Sequence, residues 1–345
     1  MYRGNFDYSI LVIGLGSMGK RRIRNLKAMG FKKIYGFDLR DDRQEEARAL
    51  YGIQVVNDVD IAMRELKIEV LIISVPPHLH HLYINRAIEN EIHFFVEASV
   101  VDEGMEEAIT KLKSRKIVAA PSGTLYFHPA IQKIKSIIES GDLGHVTNFI
   151  YHSGQYLPDW HSYEKVEDFY VSKKETGGAR EIVPFELTWI TKLLGFPNQV
   201  AAVVKKTIQI KGAEEIDDTY NILLHYDGFI VNMTIDVVSR HATRKLLING
   251  ADKQLTWNWD DNCIKIFDPA TGEWDIWNYE SNDSAPGYNK NIIEQMYIME
   301  LHNFFDAIEN KNDFFNSMDY DHKVLKLLYT IENSSSRKNF QDYKP

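Results

Sequence analysis

The chain carries a single cysteine, Cys263, in 345 residues. One thiol cannot close an internal disulfide or build a cysteine metal cluster, which fits a reducing compartment. An excess of positive charge is missing too. Forty-nine acidic side chains against 40 basic ones give a formal net charge of −9. Such a balance repels nucleic acid and anionic membrane surfaces, so neither is expected as a partner. No apolar run is long enough to cross a bilayer. The opening "MYRGNFDYSILVIGLG" lacks a signal-peptide layout, because its apolar run stops in glycines after a few residues. A soluble cytoplasmic protein is expected. Repeats and low-complexity linkers are absent. What remains is 44% hydrophobic and 26% charged, an ordinary globular composition at a length that predicts two domains.

The first third alternates. "YSILVIG" (8–14) is strand-like, "GLGSMG" (14–19) breaks it, and "KRRIRNLKAMG" follows with Ile23, Leu26 and Met29 at helical spacing and Gly30 as a stop. Further strands are expected at "KKIYGFD" (32–38), "IQVV" (53–56), "IEVLIISVPP" (68–77), "HFFVE" (93–97) and "IVAAPS" (117–122). Helices are expected between them, at 43–52, 59–67, 79–91 and 103–116. Strand and helix repeated in this way predict a doubly wound parallel sheet. Ligands of such folds sit at the carboxyl ends of the strands, where Gly14, Asp38, Ser74 and Glu97 fall.

"GLGSMG" follows a strand and opens a helix, the context in which G-x-G-x-x-G binds a dinucleotide. Gly14 serves the tight turn, Gly16 the approach of a pyrophosphate, and Gly19 the close packing of helix on sheet. Ser17 and Met18 complete the loop. Asp38 ends the second strand and can accept both ribose hydroxyls, which favours NAD. Arg40 and Arg43 keep NADP as the second candidate. Lys20, Arg21, Arg22 and Arg24 crowd the helix start, where the macrodipole disfavours cations. Either a bound diphosphate offsets that, or some of the four form a solvated face.

After a helix at "FHPAIQKIKSIIESGDLG" (127–144) the texture changes to short strands with tight turns, Asp227-Gly228 among them. Helices return at 291–310 and 318–333. The prediction is α/β overall: a doubly wound Rossmann domain over 1–123, then an α+β domain over 124–345 with a large, mainly antiparallel sheet. Trp257, Trp259, Trp274 and Trp277 are expected to pack one sheet face, or to form a subunit interface there. The tail "SSSRKNFQDYKP" is expected to be loose. "HLHH" (78–81) offers three histidines, but no carboxylate or thiol set completes a metal site by spacing, so no metal is expected.

The motifs "GLGSMG" with Asp38, "ISVPPHLHH", "FVEAS", "FHPAIQKIKSIIESGDLG", "YLPDW", "SKKETGGA" and "ITKLLG" span nearly the whole chain. On them the chain resembles the Gfo/Idh/MocA family of glucose–fructose oxidoreductase-like proteins. "GQYLPDWH", "SKKETGG" and "DVVSRHATRKLLING" look most like members acting on sugars or nucleotide-sugars for surface polysaccharides. The resemblance implies an NAD(P)-dependent oxidoreductase on a sugar or nucleotide-sugar hydroxyl or ketone. It implies a homodimer or homotetramer through the C-terminal sheet. It also places Glu97 by the nicotinamide ribose and a histidine, His80, close to the dinucleotide; Ser74, Pro76 and Arg40 join them as candidate cofactor contacts.

Two departures from the family stand out. Members usually carry Glu-Lys-Pro where this chain has Glu97-Ala98-Ser99, so the lysine is gone. Many also present Asp-x-x-x-His-x-x-Asp after the glycine pair, where this chain has Glu181, Phe185 and Thr188. Both usual proton carriers are missing. Replacements are sought in Lys173 or Glu181 as acid/base, with Tyr126 orienting substrate. Phe185, Trp160, Arg240 and Arg244 are the candidate substrate contacts, Trp160 by stacking and the arginines by clamping a carboxylate or diphosphate. The alternative is a cofactor-binding sensor of the same fold that has lost hydride-transfer chemistry.

Overall fold

The computed structural model describes residues 4–160, 165–280 and 293–345. Two compact units emerge, Met1–Thr124 with Glu294–His322, and Leu125–Ile293 with Lys323–Pro345. Against the division expected at 123/124, Thr124 and the segment 294–322 group with the first unit. Asn291 and Ile292 of the expected helix, and His161 of "GQYLPDWH", lie outside the described residues.

The first unit runs β1 (Ile10–Ile13), α1 (Ser17–Met29), β2 (Ile34–Phe37), α2 (Asp41–Tyr51), β3 (Gln54–Val55), α3 (Val59–Glu65), β4 (Val70–Ile73), α4 (His80–Glu89), β5 (His93–Val96), α5 (Met105–Leu112) and β6 (Ala119–Pro121). Its six strands pair in parallel in the order β3-β2-β1-β4-β5-β6. This is the doubly wound Rossmann order, with its switch between β1 and β4. β1 and β4 have no solvent exposure at all, because helices cover both faces; hence their unbroken apolar runs. Leu301, Phe304 and Phe305, from far along the chain, join this core beside Phe31 and Phe95.

The second unit begins with α6 (Pro129–Ser140), β7 (Val146–Tyr156) and α7 (Ala179–Leu194). Then come β8 (Gln199–Lys205), β9 (Thr219–His225), β10 (Ile230–Asp236), β11 (Val238–Gly250), β12 (Gln254–Asn258), β13 (Cys263–Asp268) and β14 (Glu273–Asn278). α8 (Glu294–Ile308) returns to the first unit, α9 (Met318–Arg337) continues into the second, and β15 (Gln341–Asp342) ends the chain. The nine strands form one mixed sheet, β14-β13-β12-β11-β7-β10-β9-β8-β15, antiparallel except for the β10–β7 pair. α7 covers one face of it, where Trp189 packs on Phe149 and Tyr151.

Two expectations are corrected here. The tryptophans do not share one face. Trp257 pairs through Ile264 to Trp277 on the core side, whereas Trp274 stands three residues from Trp277 and so points to the opposite side, 44% exposed. Trp259 is buried in the turn after β12 and donates to the Ala242 carbonyl. The tail is not loose either. Gln341 and Asp342 pair with β8, and buried Tyr343 stacks on Phe196 and donates to the Lys323 carbonyl. No helix among the described residues is long and apolar enough to cross a membrane.

Candidate functional site

In the first unit the glycine loop is built around backbone contacts that no side chain could share. Gly14 has φ +88°, and a Cβ there would lie 2.6 Å from the Ser74 carbonyl oxygen. A Cβ on Gly19 would overlap the Gly14 carbonyl. Gly16 caps α1, and Gly16, Ser17 and Met18 keep part of their surface open at the helix start. The cradle therefore suits a pyrophosphate on the N-terminus of α1. Asp38 is buried; its Oδ2 accepts the Leu15 N–H at 2.7 Å and its Oδ1 the Arg40 N–H at 2.9 Å. It thus pins the loop as well as presenting acceptors for a ribose. Arg40 is drawn out to exposed Asp42, whose carboxyl its guanidinium holds down at about 2. The cation at the loop is Arg43, 3.9 Å from Asp38 and 3.3 Å from where a Gly16 Cβ would stand. Of the two arginines in this segment, Arg43 therefore stands nearer the loop than Arg40.

The basic start of α1 is paired with carboxylates. Lys20 pairs with Glu46, and Arg21 and Arg24 both reach Glu294. Arg22 is completely buried and grips Glu97 in two parallel bonds, Nε to Oε1 at 2.7 Å and Nη2 to Oε2 at 2.9 Å. Its Nη2 also lies 3.0 Å from Glu300, which is buried as well. The carboxylate at the end of β5 thus holds an arginine 75 positions earlier. Ser74 donates to the same carboxylate at 3.3 Å. His80 is buried with both ring nitrogens engaged, Nε2 with the Val75 carbonyl at 2.9 Å and Nδ1 with Ser99 Oγ at 3.1 Å. Burial pushes its pKa down to about 4, so the ring is neutral and ties the β4 end to the β5 end. Ser99 is the partner that makes this tie. Pro76 shapes the turn that carries the Val75 carbonyl and is half-buried.

In the second unit the residues expected at the chemistry fall on three elements. The loop before α7 is closed on itself. A Cβ on Gly177 would overlap the Val171 carbonyl, and Gly178, at φ +64°, lies too near Asp217 for any side chain. The turn delivers Glu181 to the first turn of α7, with Phe185 one turn further on the same half-open face. Glu181 Oε1 accepts a hydrogen bond from the Tyr170 hydroxyl. Its Oε2 is enclosed and has no partner among the described residues. Burial pushes its pKa up to about 7, against the smaller opposing effect of Tyr170. Tyr170 was not anticipated from sequence; eleven residues separate it from Glu181, and only the glycine turn brings them together. Lys173 is exposed, with its backbone in the turn. Tyr126 is half-buried, edge-on to Phe127.

Arg244 is a structural residue, contrary to expectation. It is 5% exposed, puts Nε 3.0 Å and Nη2 2.9 Å from Glu186 Oε1, and lies over the Trp259 ring. Glu186 is fully buried and also accepts from Tyr151, Ser153 and Trp189. Arg240 differs. It sits on a bulge in β11 and is exposed, its guanidinium 3.7 Å above the Tyr156 ring. Trp160 is half-buried, and its indole N–H is enclosed without a partner among the described residues. His128 is buried, caps α6 through the Ala130 N–H, and is held neutral at about 3. Among the described residues no group of three or more His, Cys, Asp or Glu could hold a metal ion.

Comparison with known proteins gives this geometry a context. A curated oxidoreductase of Schizosaccharomyces pombe, itself uncharacterized, is 25% identical over 198 residues, 56% of this chain and 53% of that protein. The chain thus spans about half the length of the curated relatives it matches. A levoglucosan dehydrogenase solved with NADH and levoglucosan shares the fold, at TM-score 0.84 and 19% identity over 98% of this chain and 100% of that one. A myo-inositol 2-dehydrogenase from Lactobacillus plantarum shares it at TM-score 0.81 and 16% identity, over 98% and 100%. Residues 8–116 match the oxidoreductase-family model described as an NAD-binding Rossmann fold, and residues 131–256 match the Gfo/Idh/MocA C-terminal domain. With both halves of the chain matched in order, it belongs to the Gfo/Idh/MocA oxidoreductase family.

Proposed function

We propose that the chain is an NAD-dependent oxidoreductase acting on a hydroxyl, or the matching ketone, of a sugar or nucleotide-sugar, with Glu181 as the proton carrier. The observation that carries this is the Glu181 carboxyl: near neutral pKa, one oxygen held by Tyr170, the other enclosed and without a partner among the described residues. An acid/base group works best when its pKa lies near the working pH. Bound NAD supplies the hydride acceptor. Gly14, Gly16 and Gly19 would hold its pyrophosphate, and Asp38 its adenosine ribose. An acid at that position disfavours a 2′-phosphate, which supports NAD over NADP.

The sugar reading draws on the levoglucosan and inositol dehydrogenases that share the fold. On this chain, Trp160 would offer a sugar hydroxyl an N–H that has no partner among the described residues, and Phe185 an apolar face one turn from Glu181. Arg240, stacked on Tyr156, would take an anionic group such as a diphosphate. Lys173, exposed and without a built setting, is the weaker proton carrier. Tyr126 is retained as a residue orienting substrate. Assembly through the outer face of the large sheet is part of the same reading, since Ile150, Val203, Trp274 and Ile276 stand exposed there.

The test is an absorbance scan at the reduced-nicotinamide band with NAD and a panel of sugars and nucleotide-sugars. A substrate that raises the band then serves in a pH profile. Oxidation needs Glu181 ionised, so kcat/KM should rise with pH through about 7. Glu181→Gln should cut turnover at least about a hundredfold with NAD binding intact. Unchanged turnover in that variant would end the assignment of Glu181. The second reading, a cofactor-binding sensor, draws on Ala98 and Phe185 standing where the family has lysine and histidine. NAD binding with no response across the panel would favour it.

A further inference from the structure

We propose that Arg22 is a positioning residue for the nicotinamide half of the bound dinucleotide, acting by fixing the Glu97 carboxylate. The proposal rests on NAD being the ligand of the first unit. The strand order splits the sheet into two mononucleotide halves about the β1/β4 switch. Asp38 ends β2 in one half. Ser74 follows β4 and Glu97 follows β5 in the other, so Glu97 belongs with the second nucleotide of the pair.

Glu97 is not buried for its own sake. Its side chain keeps 13% of its surface open while Arg22 keeps none. A carboxylate left free at a strand end would sample several rotamers, and ordering it at binding would cost affinity. Here two parallel N–H···O bonds fix its plane in advance. Arg22 is fixed in turn. Its guanidinium lies 4.4 Å over the Phe95 ring and 5.3 Å from that of Tyr297. It also meets Glu300, whose two oxygens accept from Ser122 Oγ, the Gly123 N–H and Thr124 Oγ1. The order runs from the β6 end through Glu300 and Arg22 to Glu97. No charge is available from Ala98, the neighbour of Glu97. The guanidinium reaches the site from α1, the same helix that receives the pyrophosphate.

A purely structural arginine would, when changed, harm every ligand alike. A positioning one would harm only ligands that reach Glu97. The experiment is therefore titration of the full chain and its Arg22→Lys and Glu97→Asp variants with NAD and, separately, with ADP, which carries only the adenosine half. Arg22→Lys keeps the charge and loses the planar grip. Glu97→Asp keeps the carboxylate and shortens its reach. Each should weaken NAD by about tenfold or more, one decade in Kd, and leave ADP within about twofold. Either variant binding NAD like the parent overturns the proposal, and so does an equal loss of NAD and ADP. Should Arg22→Lys fail to fold, Glu97→Asp decides by the same two criteria. A parent chain that binds ADP but not NAD would instead overturn the cofactor reading, and the proposal with it.

Discussion

Arg244 and Arg240 stand four positions apart and lead different lives. Arg244 neutralises the buried Glu186; taking it away strands a carboxylate that has no route to water. Arg244→Met should therefore lower stability by about 3–5 kcal/mol, read as a urea midpoint shift, and Arg244→Met with Glu186→Gln should recover part of it. Arg240→Ala should change stability by no more than about 0.5 kcal/mol while raising KM for an anionic substrate. Sequence could not separate the two. At even spacing in a regular strand they would share a face, but between Val238 and Thr243 the bulge sets five steps of β11 against two of β7. Glu181 adds a pH term. Its folded pKa is raised, so its contribution to stability is full below the unfolded value and is lost as pH rises through about 7. Glu181→Gln should flatten the fall in urea midpoint between about pH 4.5 and 7.

At the scale of elements, the glycine pair before α7 decides where Glu181 stands. Gly177→Ala forces the 170–178 turn open against the Val171 carbonyl and should cost about 1–3 kcal/mol or more in chemical unfolding. Gly228→Ala, in the β9–β10 turn with open space around it, should be near neutral. The strands and helices of the first unit were legible because short unbroken apolar runs alternate with apolar positions at the 3.6 period and glycines mark the stops, Gly30 and Gly52 among them. The glycine loop and Asp38 were legible for the same local reason. What was illegible is partnership over distance. Nothing near Arg22 in sequence announces Glu97 or Glu300, and nothing near Glu186 announces Arg244. The tail was illegible because two residues of strand have no period to read, and its order comes from the β8 edge and a pocket for Tyr343.

At the scale of the molecule, two buried imidazoles set an acid limit, one in each unit. Their folded pKa values, about 4 for His80 and about 3 for His128, lie below the ordinary histidine value. Their contribution to stability is present above about pH 6.5 and is lost as the pH falls toward those values. Urea midpoints should drop over that acid window, and His80→Gln should reduce the slope for the first unit. The composition of that unit gives a second expectation. A fragment ending at Thr124 lacks Glu300, Phe304 and Phe305, and so leaves Arg22 and the Phe31–Phe95 side of the core uncovered. It should unfold without a cooperative transition by circular dichroism, and joining 294–322 to it should restore one. The same arrangement governs how the protein is born. At ribosomal speeds the stretch between Thr124 and Glu294 takes roughly 10–30 s to emerge. For that interval the nascent Rossmann unit waits with an unsealed core, its buried guanidinium paired with Glu97 alone until α8 brings Glu300.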